Sequence, residues 1–531
     1  MLVDDQPTFA RNAARFLDAI GLPTEVASDL CGARRAMAER TFSALCLDVR
    51  LTDGDGLDLL EEVRMVDPRL PVLVMSAEDS AAHRQRAERL GAVGFLPKPF
   101  SLRTLADALR DMAGVEPSAP APRGRGGRGG FTVVMYSHDG YGLGHLRRNV
   151  NIASRLVDGD PPVDVLLLVG SPSASVFALP KGVDTVKLPS VIKVGTDRWE
   201  PRNLRMTAGA AADIRARLVQ RTVELVQPDL FLVDHVPHGV ADELLPTLRL
   251  LRGMRHRPRT VLGLRDILDA PEVVRDGWRR AGVYDTLRDL YDAVLVYGRP
   301  EIFDTAAAYG LDLLPPERVH YCGYVCAPCG GRPARQVRTS LGIGDGPLVV
   351  VTAGGGHDAG PMMEATLGAV PAIVARTDAT FVFVTGPLMP PFVRNALVRR
   401  AEGLPVRINT TEPDLPSLVG AADVVVTMAG YNTIVEALSQ RTRVVVVPRS
   451  GPSAEQRMRA TRLAASGHVH LVEPDDLAPE QVAERVIAAL AGPPPAAGWE
   501  GLDGTENAAA RLRELLHREA PAGPALLERQ A

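Results

Sequence analysis

The chain has 531 residues, of which 46% are hydrophobic and 23% charged, with a formal net charge of −4 and five cysteines. That length exceeds what one hydrophobic core holds and predicts about three or four units of domain size. The near-neutral balance gives no pull toward nucleic acid or an anionic membrane, and the cysteines supply no disulfide framework. The opening MLVDDQPTF lacks the basic-then-apolar layout of a secretory signal. The longest apolar runs, such as VDVLLLVG at 163–170, fall short of the roughly 18 to 20 residues that span a bilayer. The expectation is a cytoplasmic protein without a nucleic-acid partner, at most peripheral at the inner membrane face.

In chain order, apolar strands alternate with amphipathic helical stretches: LVDD then FARNAARFLDAIG, FSALCLDV then GLDLLEEVRMV, LPVLVMSA then AAHRQRAERLG, VGFLP then SLRTLADALRDMAG. This alternation predicts a parallel sheet with helices on both faces. Asp4 and Asp5 end the first strand, Asp48 the second and Ser76 the third, and Lys98 follows the fourth. In such a sheet these ends share the carboxyl edge, where ligands bind. Three carboxylates at that range share a proton or bind a cation, and hard oxygen ligands suit Mg²⁺. A hydroxyl and an ammonium beside them suit a phosphoryl oxygen. Taken singly, the acidic pair reads as a helix cap and the lysine as a surface charge; five such groups in order make a constellation.

This set, with DVRLTDGDGLDLL and the tripeptide KPF, resembles the receiver domain of two-component response regulators over residues 1–113. The resemblance implies a doubly wound, five-stranded, flavodoxin-like domain. It makes Asp48 the phosphoacceptor, Asp4, Asp5 and Asp48 the Mg²⁺ ligands, Ser76 and Lys98 the phosphoryl contacts and Phe95 the aromatic switch. It also implies a cis Lys98–Pro99 bond, a histidine kinase or phosphotransfer protein as partner, and a phosphorylation-dependent homodimer.

Residues 114–130 contain EPSAPAPRGRGGRGG, with no apolar side chain larger than alanine, and read as a linker spanning on the order of 20 Å. The α/β alternation then resumes. Residues 131–315 give strands at TVVMYS, VDVLLLVG, LFLVDH, RTVLGLRD and AVLVYG; residues 346–490 give PLVVVTAGG, TFVFVTG, VRINTT, DVVVTMAG and RVVVVPR. A Pro, Cys and Gly-rich connector at 316–345 joins them, predicting two Rossmann-like lobes around a cleft. In the tail, 491–531, Asp503 and Glu506 match a capping box opening a last helix.

The stretch GFTVVMYSHDGYGLGHLRRN at 130–149 carries glycines at 140, 142 and 144. A dinucleotide fingerprint wants G-x-G-x-x-G with an acidic residue about 20 positions on; here Asp164 stands at that distance only by opening the next strand. The loop instead places His145 in a helix's first turn, where the dipole disfavours imidazolium. A neutral ring there either accepts a proton or merely caps the helix, and Asp139 and His138 are alternative bases. In the second lobe, Gly354, Gly355 and Gly356 lie between strand and helix, where backbone N–H groups can hold diphosphate. Gly430 opens a helix carrying Glu436, and Arg449, Glu455 and Gln456 follow the next strand. Asp234, His235 and His238 in LVDHVPHG face the acceptor side or form a turn; Trp199 lies in an acceptor loop or a solvated one. His320, Cys322, Cys326 and Cys329 are spaced somewhat like a zinc knuckle but lack a second ligand pair.

Over residues 131–515 these segments resemble the GT-B glycosyltransferases related to the N-acetylglucosaminyltransferase of peptidoglycan synthesis. The resemblance implies that Gly142, Gly144 and His145 belong to an N-terminal Gly-rich loop on the acceptor side. It makes Gly354–Gly356 the diphosphate loop, Glu436 the ribose ligand, and Glu455 with Gln456 the donor-sugar contacts, where the family often has paired glutamines. Inverting transfer needs a base on the acceptor hydroxyl and positive potential at the leaving nucleoside diphosphate; His145 fits the first role, and loop N–H groups with Arg449 the second. The expected reaction is metal-independent hexosyl transfer from a nucleoside-diphosphate sugar, a UDP sugar first, to a lipid-linked acceptor or envelope polysaccharide. The alternatives are an inactive nucleotide-sugar-binding signalling module and a nucleotide-sugar epimerase. All three require the segments near 145, 355 and 436 to face one another across the lobes.

Overall fold

A computed structural model describes the chain apart from residues 20–21, 77–80, 99, 101, 113–129, 139–143, 172–178, 196–197, 255, 327–330, 494–500 and 519–531. It forms two compact units, residues 1–124 and 125–531. Nearly all of the 114–130 stretch read as a linker lies outside the described residues.

The first unit is a parallel sheet of Leu2–Val3 (β1), Val26–Ala27 (β2), Leu45–Asp48 (β3), Val72–Ser76 (β4) and Gly94–Pro97 (β5), in the order β2-β1-β3-β4-β5. Alternate side chains enter two cores, as the pleat requires. Val3, Leu47, Val72 and Val74 pack with Leu57, Leu60 and Val63 on one face. Leu2, Cys46, Leu73 and Met75 pack with Ala13, Leu17 and Leu105 on the other. β1 is two residues long, yet it lies inside the sheet, with Leu2 opposite both Val26 and Cys46 and fully buried. β2 has no readable apolar run, since Val26 is exposed.

In the second unit the first lobe is a seven-stranded sheet. Its strands are Phe131–Ser137 (β6), Val163–Val169 (β7), Val183–Lys187 (β8), Leu230–Asp234 (β9), Arg259–Arg265 (β10), Ala293–Tyr297 (β11) and Val319–Tyr321 (β12), in the order β8-β7-β6-β9-β10-β11-β12. The second lobe has Leu348–Thr352 (β13), Thr380–Val384 (β14), Val406–Asn409 (β15), Val424–Thr427 (β16), Arg443–Val446 (β17) and His470–Leu471 (β18), in the order β15-β14-β13-β16-β17-β18. All these strands pair in parallel. The strands read from the sequence are present; β8, β12, β18 and an antiparallel hairpin of Val191–Gly195 with Arg198–Pro201 are additional. They are short or half-polar, so no apolar run marks them.

In both lobes the strand order reverses beside the first strand, between β6 and β9 and between β13 and β16, which is where such sheets open a crevice. The 316–345 stretch contributes β12 to the first sheet and the helix Ala334–Ser340, whose Val337 is in the second lobe's core. The last helix, Gly504–His517, returns to the first lobe, where Leu512, Leu515 and Leu516 pack with Leu146, Ile152 and Val163. Its expected capping box does not form. Asp503 makes no side-chain cap hydrogen bond, and Glu506 lies 3.8 Å from Arg155 instead.

Candidate functional site

At the carboxyl edge of the first unit, Asp4, Asp5 and Asp48 bring one oxygen each within 4.8 Å of the others, the only such cluster among the described residues. Asp4 and Asp48 are buried. The Lys98 ammonium lies 2.7 Å from Asp4 Oδ2 and 2.5 Å from Asp48 Oδ2, so the pocket already holds a positive charge. Burial raises the Asp48 carboxyl above its ordinary value against the pull of Lys98. Burial also works against the Lys98 ammonium, but Asp4 and Asp48 outweigh it and hold its pKa up. Ser76 is buried at the end of β4, and its carbonyl accepts the Lys98 N–H at 2.7 Å. Phe95 is half-buried under the Arg84 guanidinium, 5.1 Å from the ring centre. Asp4, Asp5, Asp48 and Lys98 are thus brought together, and the hard oxygen donors fit a divalent cation such as Mg²⁺. The Lys98–Pro99 bond lies outside the described residues.

In the first lobe, β6 and β9 are neighbours, so His138, just after β6, meets Asp234, the last residue of β9. The Asp234 carboxylate accepts the His138 N–H at 3.3 Å, lies 2.6 Å from His145 Nδ1 and takes the Arg148 guanidinium at 2.5 Å. His145 and Arg148 reach it together because positions three apart share a helix face, here on Gly144–Val157. His235 follows with φ +69°, a left-handed backbone rare for a residue of this size. Its ring is 4.9 Å from that of His145, and the His138 ring is 5.6 Å from His145 and 5.5 Å from His235. Trp199, on the hairpin, stands edge-on to His138 at 5.5 Å. Nδ1 of His138 and of His235 is buried with no hydrogen-bond partner among the described residues.

Burial governs protonation here. It lowers the His145 imidazole below its ordinary value, with Asp234 opposing; it carries His138 down to about 3, aided by His145; and it holds His235 well below the usual range, aided by Arg265. Burial therefore works in the same direction as the helix dipole expected to disfavour imidazolium at 145. For Asp234 burial works upward, but Arg148 and His145 outweigh it and keep the carboxylate ionised. His238 is not part of this group: its ring bonds Thr286 Oγ1 at 2.8 Å and Asp242 at 3.0 Å, buried inside the lobe. Asp139 and Gly142 lie outside the described residues.

In the second lobe the glycine loop follows β13. Gly354 and Gly356 have φ +63° and +84°, and a Cβ at Gly356 would stand 1.8 Å from the Thr385 carbonyl. Gly430 is the N-cap of the helix Tyr431–Ser439, with open space where its Cβ would be. Glu436 on that helix is buried and lies 2.7 Å from Arg147 of the first lobe; burial raises its carboxyl against the pull of Arg147. Asn432 Nδ2 donates to the Gly144 carbonyl at 3.1 Å. Glu455, opening the helix Glu455–Ala465, is held by Arg265 of the first lobe at 2.7 Å and by Arg459 at 3.0 Å. Gln456 accepts the Arg449 N–H at 3.2 Å, and the Arg449 side chain reaches Asp358 at 3.4 Å.

The segments near 145 and 436 are therefore in contact across the lobes. The Gly354–Gly356 loop shares their edge of the second sheet, since β13 pairs with β16. Sequence reasoning missed Arg147, Arg148, Arg265, Asn432, Arg459 and Asp266, which takes the Arg459 guanidinium at 2.8 Å. Only Arg147 and Arg148 carried a signal, in the run HLRR after the glycine loop.

Among the described residues the cysteine stretch forms no cluster of metal-ligating groups. Cys322 and Cys326 are buried thiols facing the carbonyls of His320 and Leu502, His320 Nε2 faces Arg511 at 2.6 Å, and Cys329 lies outside the described residues. Among the described residues no helix is long and apolar enough to cross a membrane.

Residues 1–110 match the family model of the response regulator receiver domain, and residues 348–497 that of the glycosyltransferase family 28 C-terminal domain. Curated relatives include response regulator MprA of Mycobacterium leprae (strain TN), 34% identical over 112 residues, which cover 21% of this chain and 49% of the relative. Another is the photosynthetic apparatus regulatory protein RegA of Rhodobacter capsulatus, 30% identical over 122 residues, 23% of this chain and 65% of the relative. The chain thus spans about half the length of the first of these and less than two thirds of the second. Similar solved structures include the calicheamicin glycosyltransferase CalG4, at 16% identity and TM-score 0.48 over 74% of this chain and 99% of that one. The UDP-GlcNAc 2-epimerase from Methanocaldococcus jannaschii is similar at 10% identity and TM-score 0.49, over 73% and 99%.

Proposed function

Because the chain joins a response regulator receiver domain to a glycosyltransferase family 28 domain of GT-B architecture, we propose that it is a sugar transferase under two-component control. The donor is a nucleoside-diphosphate sugar, a UDP sugar first among candidates, and the acceptor carries a hydroxyl, on a lipid-linked or polysaccharide substrate.

The observation that carries this reading is the His145–Asp234 pair at the first-lobe crevice, in contact range of the Glu436 helix. The ionised Asp234 can only accept, so the His145 Nδ1–H donates to it, which leaves the Nε2 lone pair to receive a proton. His145 Nε2 then removes the acceptor hydroxyl proton as that oxygen bonds the anomeric carbon. The bond from that carbon to the diphosphate oxygen breaks, and its electron pair leaves with the nucleoside diphosphate. Gly354–Gly356 hold the diphosphate, Glu436 the ribose hydroxyls, and Gln456 contacts the sugar. His138, His235 and Trp199 line the acceptor side.

In the receiver, Asp48 accepts a phosphoryl group from a histidine kinase or phosphotransfer protein in the cytoplasm, and Ser76 and Lys98 hold its oxygens. Asp4, Asp5 and Asp48 would hold Mg²⁺, which supplies positive charge to the phosphoryl oxygens when bound.

A second reading is a nucleotide-sugar-binding output module without catalysis, favoured by Glu455 standing filled by two arginines. The test is a thermal-shift screen of UDP, GDP and dTDP sugars, since binding to the folded form raises its melting temperature, followed by an assay of nucleotide release with a lysate as acceptor. Stabilisation with release supports the transferase. Stabilisation without release from any donor supports the second reading, and formation of an epimer without an acceptor would make it an epimerase.

A further inference from the structure

Arg147 stands apart among the charged groups that meet between the lobes. The Arg459–Asp266 pair is sealed, with side chains 1% and 0% exposed, and Arg265 with Glu455 is nearly so, at 16% and 9%. Arg147 keeps 30% of its side chain open to solvent, while its partner Glu436 keeps 7%. A sealed pair is part of the packing. A pair open on the cation's side is one that solvent, or a ligand, can separate.

Its position suggests which ligand. Arg147 lies in the first turn of the helix that opens at Gly144, and its partner lies on the helix that follows β16. β16 is beside β13, with Val426 opposite Val351, so the loop at Gly354–Gly356 and the turn at Gly430 leave the sheet side by side. A nucleoside diphosphate whose ribose sits on Glu436 therefore carries its phosphates along the same edge. Ribose hydroxyls donating to Glu436 compete directly with the Arg147 guanidinium for the same carboxylate. A displaced guanidinium is matched in charge and planar geometry to phosphate oxygens.

We propose that Arg147 is a diphosphate-binding residue: it covers Glu436 when no nucleotide is bound and, displaced by the ribose, turns its guanidinium onto the diphosphate. This rests on the nucleotide-sugar reading above, to which it adds a donor ligand from the first lobe. Arg147 then supplies positive charge to the leaving group from the lobe that holds His145.

The test is calorimetric titration of the full chain with UDP and with uridine, for the wild type, Arg147→Gln and Arg147→Lys. Loss of a charge-assisted arginine–phosphate bond weakens UDP binding about tenfold in Arg147→Gln. Uridine, which has no phosphate and no longer has to break an ion pair, binds Arg147→Gln as tightly as wild type or about two- to threefold more tightly. Arg147→Lys, which keeps the charge but not the fork, restores part of the UDP affinity. Equal shifts for both ligands, in either direction, would show that Arg147 only joins the lobes and would overturn the proposal. Should Arg147→Gln not fold, Arg147→Lys decides alone: UDP weakened with uridine unchanged supports it, and unchanged UDP affinity overturns it. A wild type that binds none of UDP, GDP or dTDP fails before any variant is compared, which marks the nucleotide-sugar reading itself as wrong.

Discussion

Asp234 and His145, 89 positions apart in sequence, are held 2.6 Å apart, and the other carboxylate oxygen of Asp234 takes Arg148. The pair exists because β9 lies beside β6 and the helix after β6 returns over that junction. Replacing His145 by Ala should lower turnover by about 10²- to 10⁴-fold, the usual contribution of a positioned general base, with nucleotide binding retained. Asp234→Asn has a second effect with a definite sign. Asp234 raises the His145 pKa against burial, so its removal lowers that pKa further, and the acid limb of kcat/KM moves to lower pH. A limb that stays in place would show that Asp234 does not act through His145.

Loss of acid stability should come from the buried rings. In the folded chain His138, His145 and His235 resist protonation, His138 down to about 3, whereas their ordinary value is 6.5. Below about 6.5 the unfolded chain binds protons that these rings refuse, so stability falls as pH drops, for His138 by about 1.4 kcal/mol per pH unit. Denaturant titrations at pH 7.5 and 5.5 should show the loss, and His138→Gln should flatten it. An equal slope in the variant would remove His138 from the account.

Two glycines of the second lobe separate conformation from space. Gly356→Ala places a Cβ against the Thr385 carbonyl at φ +84°, so the loop must move, and nucleotide binding should fall at least tenfold, with a lower melting temperature. Gly430→Ala meets open space at an ordinary φ of −64° and should fold normally. Circular dichroism melts with nucleotide titration distinguish the two, and normal binding by Gly356→Ala would exclude that loop from the site.

In the receiver, Asp48→Ala should abolish labelling by a small acyl phosphate, and persistent labelling would place the phosphoacceptor elsewhere. Lys98→Ala removes the cation bridging Asp4 and Asp48. The carboxylates left behind repel one another, so the metal-free domain should melt lower while Mg²⁺ restores more stability than in the wild type.

Breaking one member of the sealed network at the lobe junction should cost stability without a ligand present. Glu455→Gln leaves Arg265 and Arg459 with a weaker acceptor in a buried setting, a loss of about 3 kcal/mol for an uncompensated buried charge. A melting temperature within a degree of wild type would show that the arginines find other partners.

Much of the fold was legible because buried parallel strands are continuous apolar runs, and β3, β4, β6, β9, β13 and β16 are of that kind. Strands without such runs were not. Val26–Ala27 is half exposed, and Val319–Tyr321 sits in a Pro and Cys-rich stretch. The acidic cluster of the receiver was readable, since Asp4, Asp5 and Asp48 stand at the ends of recognisable strands. The capping box at Asp503 was misread because the local pattern S/T/D/N-x-x-E does not specify the backbone angle that brings a side chain onto the N–H groups.

By itself the sequence determined which chemistry is present and on which sheet edges it lies: the acidic triad with Lys98, the glycine loops, and a histidine opening the helix after β6. The tertiary structure alone decided which of those groups touch. Asp234 joins His145, Arg147 caps Glu436 and Arg265 fills Glu455 because strands distant in sequence are neighbours in a sheet and two lobes close on each other. Such contacts depend on three-dimensional adjacency, and an arginine on a helix looks the same in sequence whether it meets water or a carboxylate of the opposite lobe.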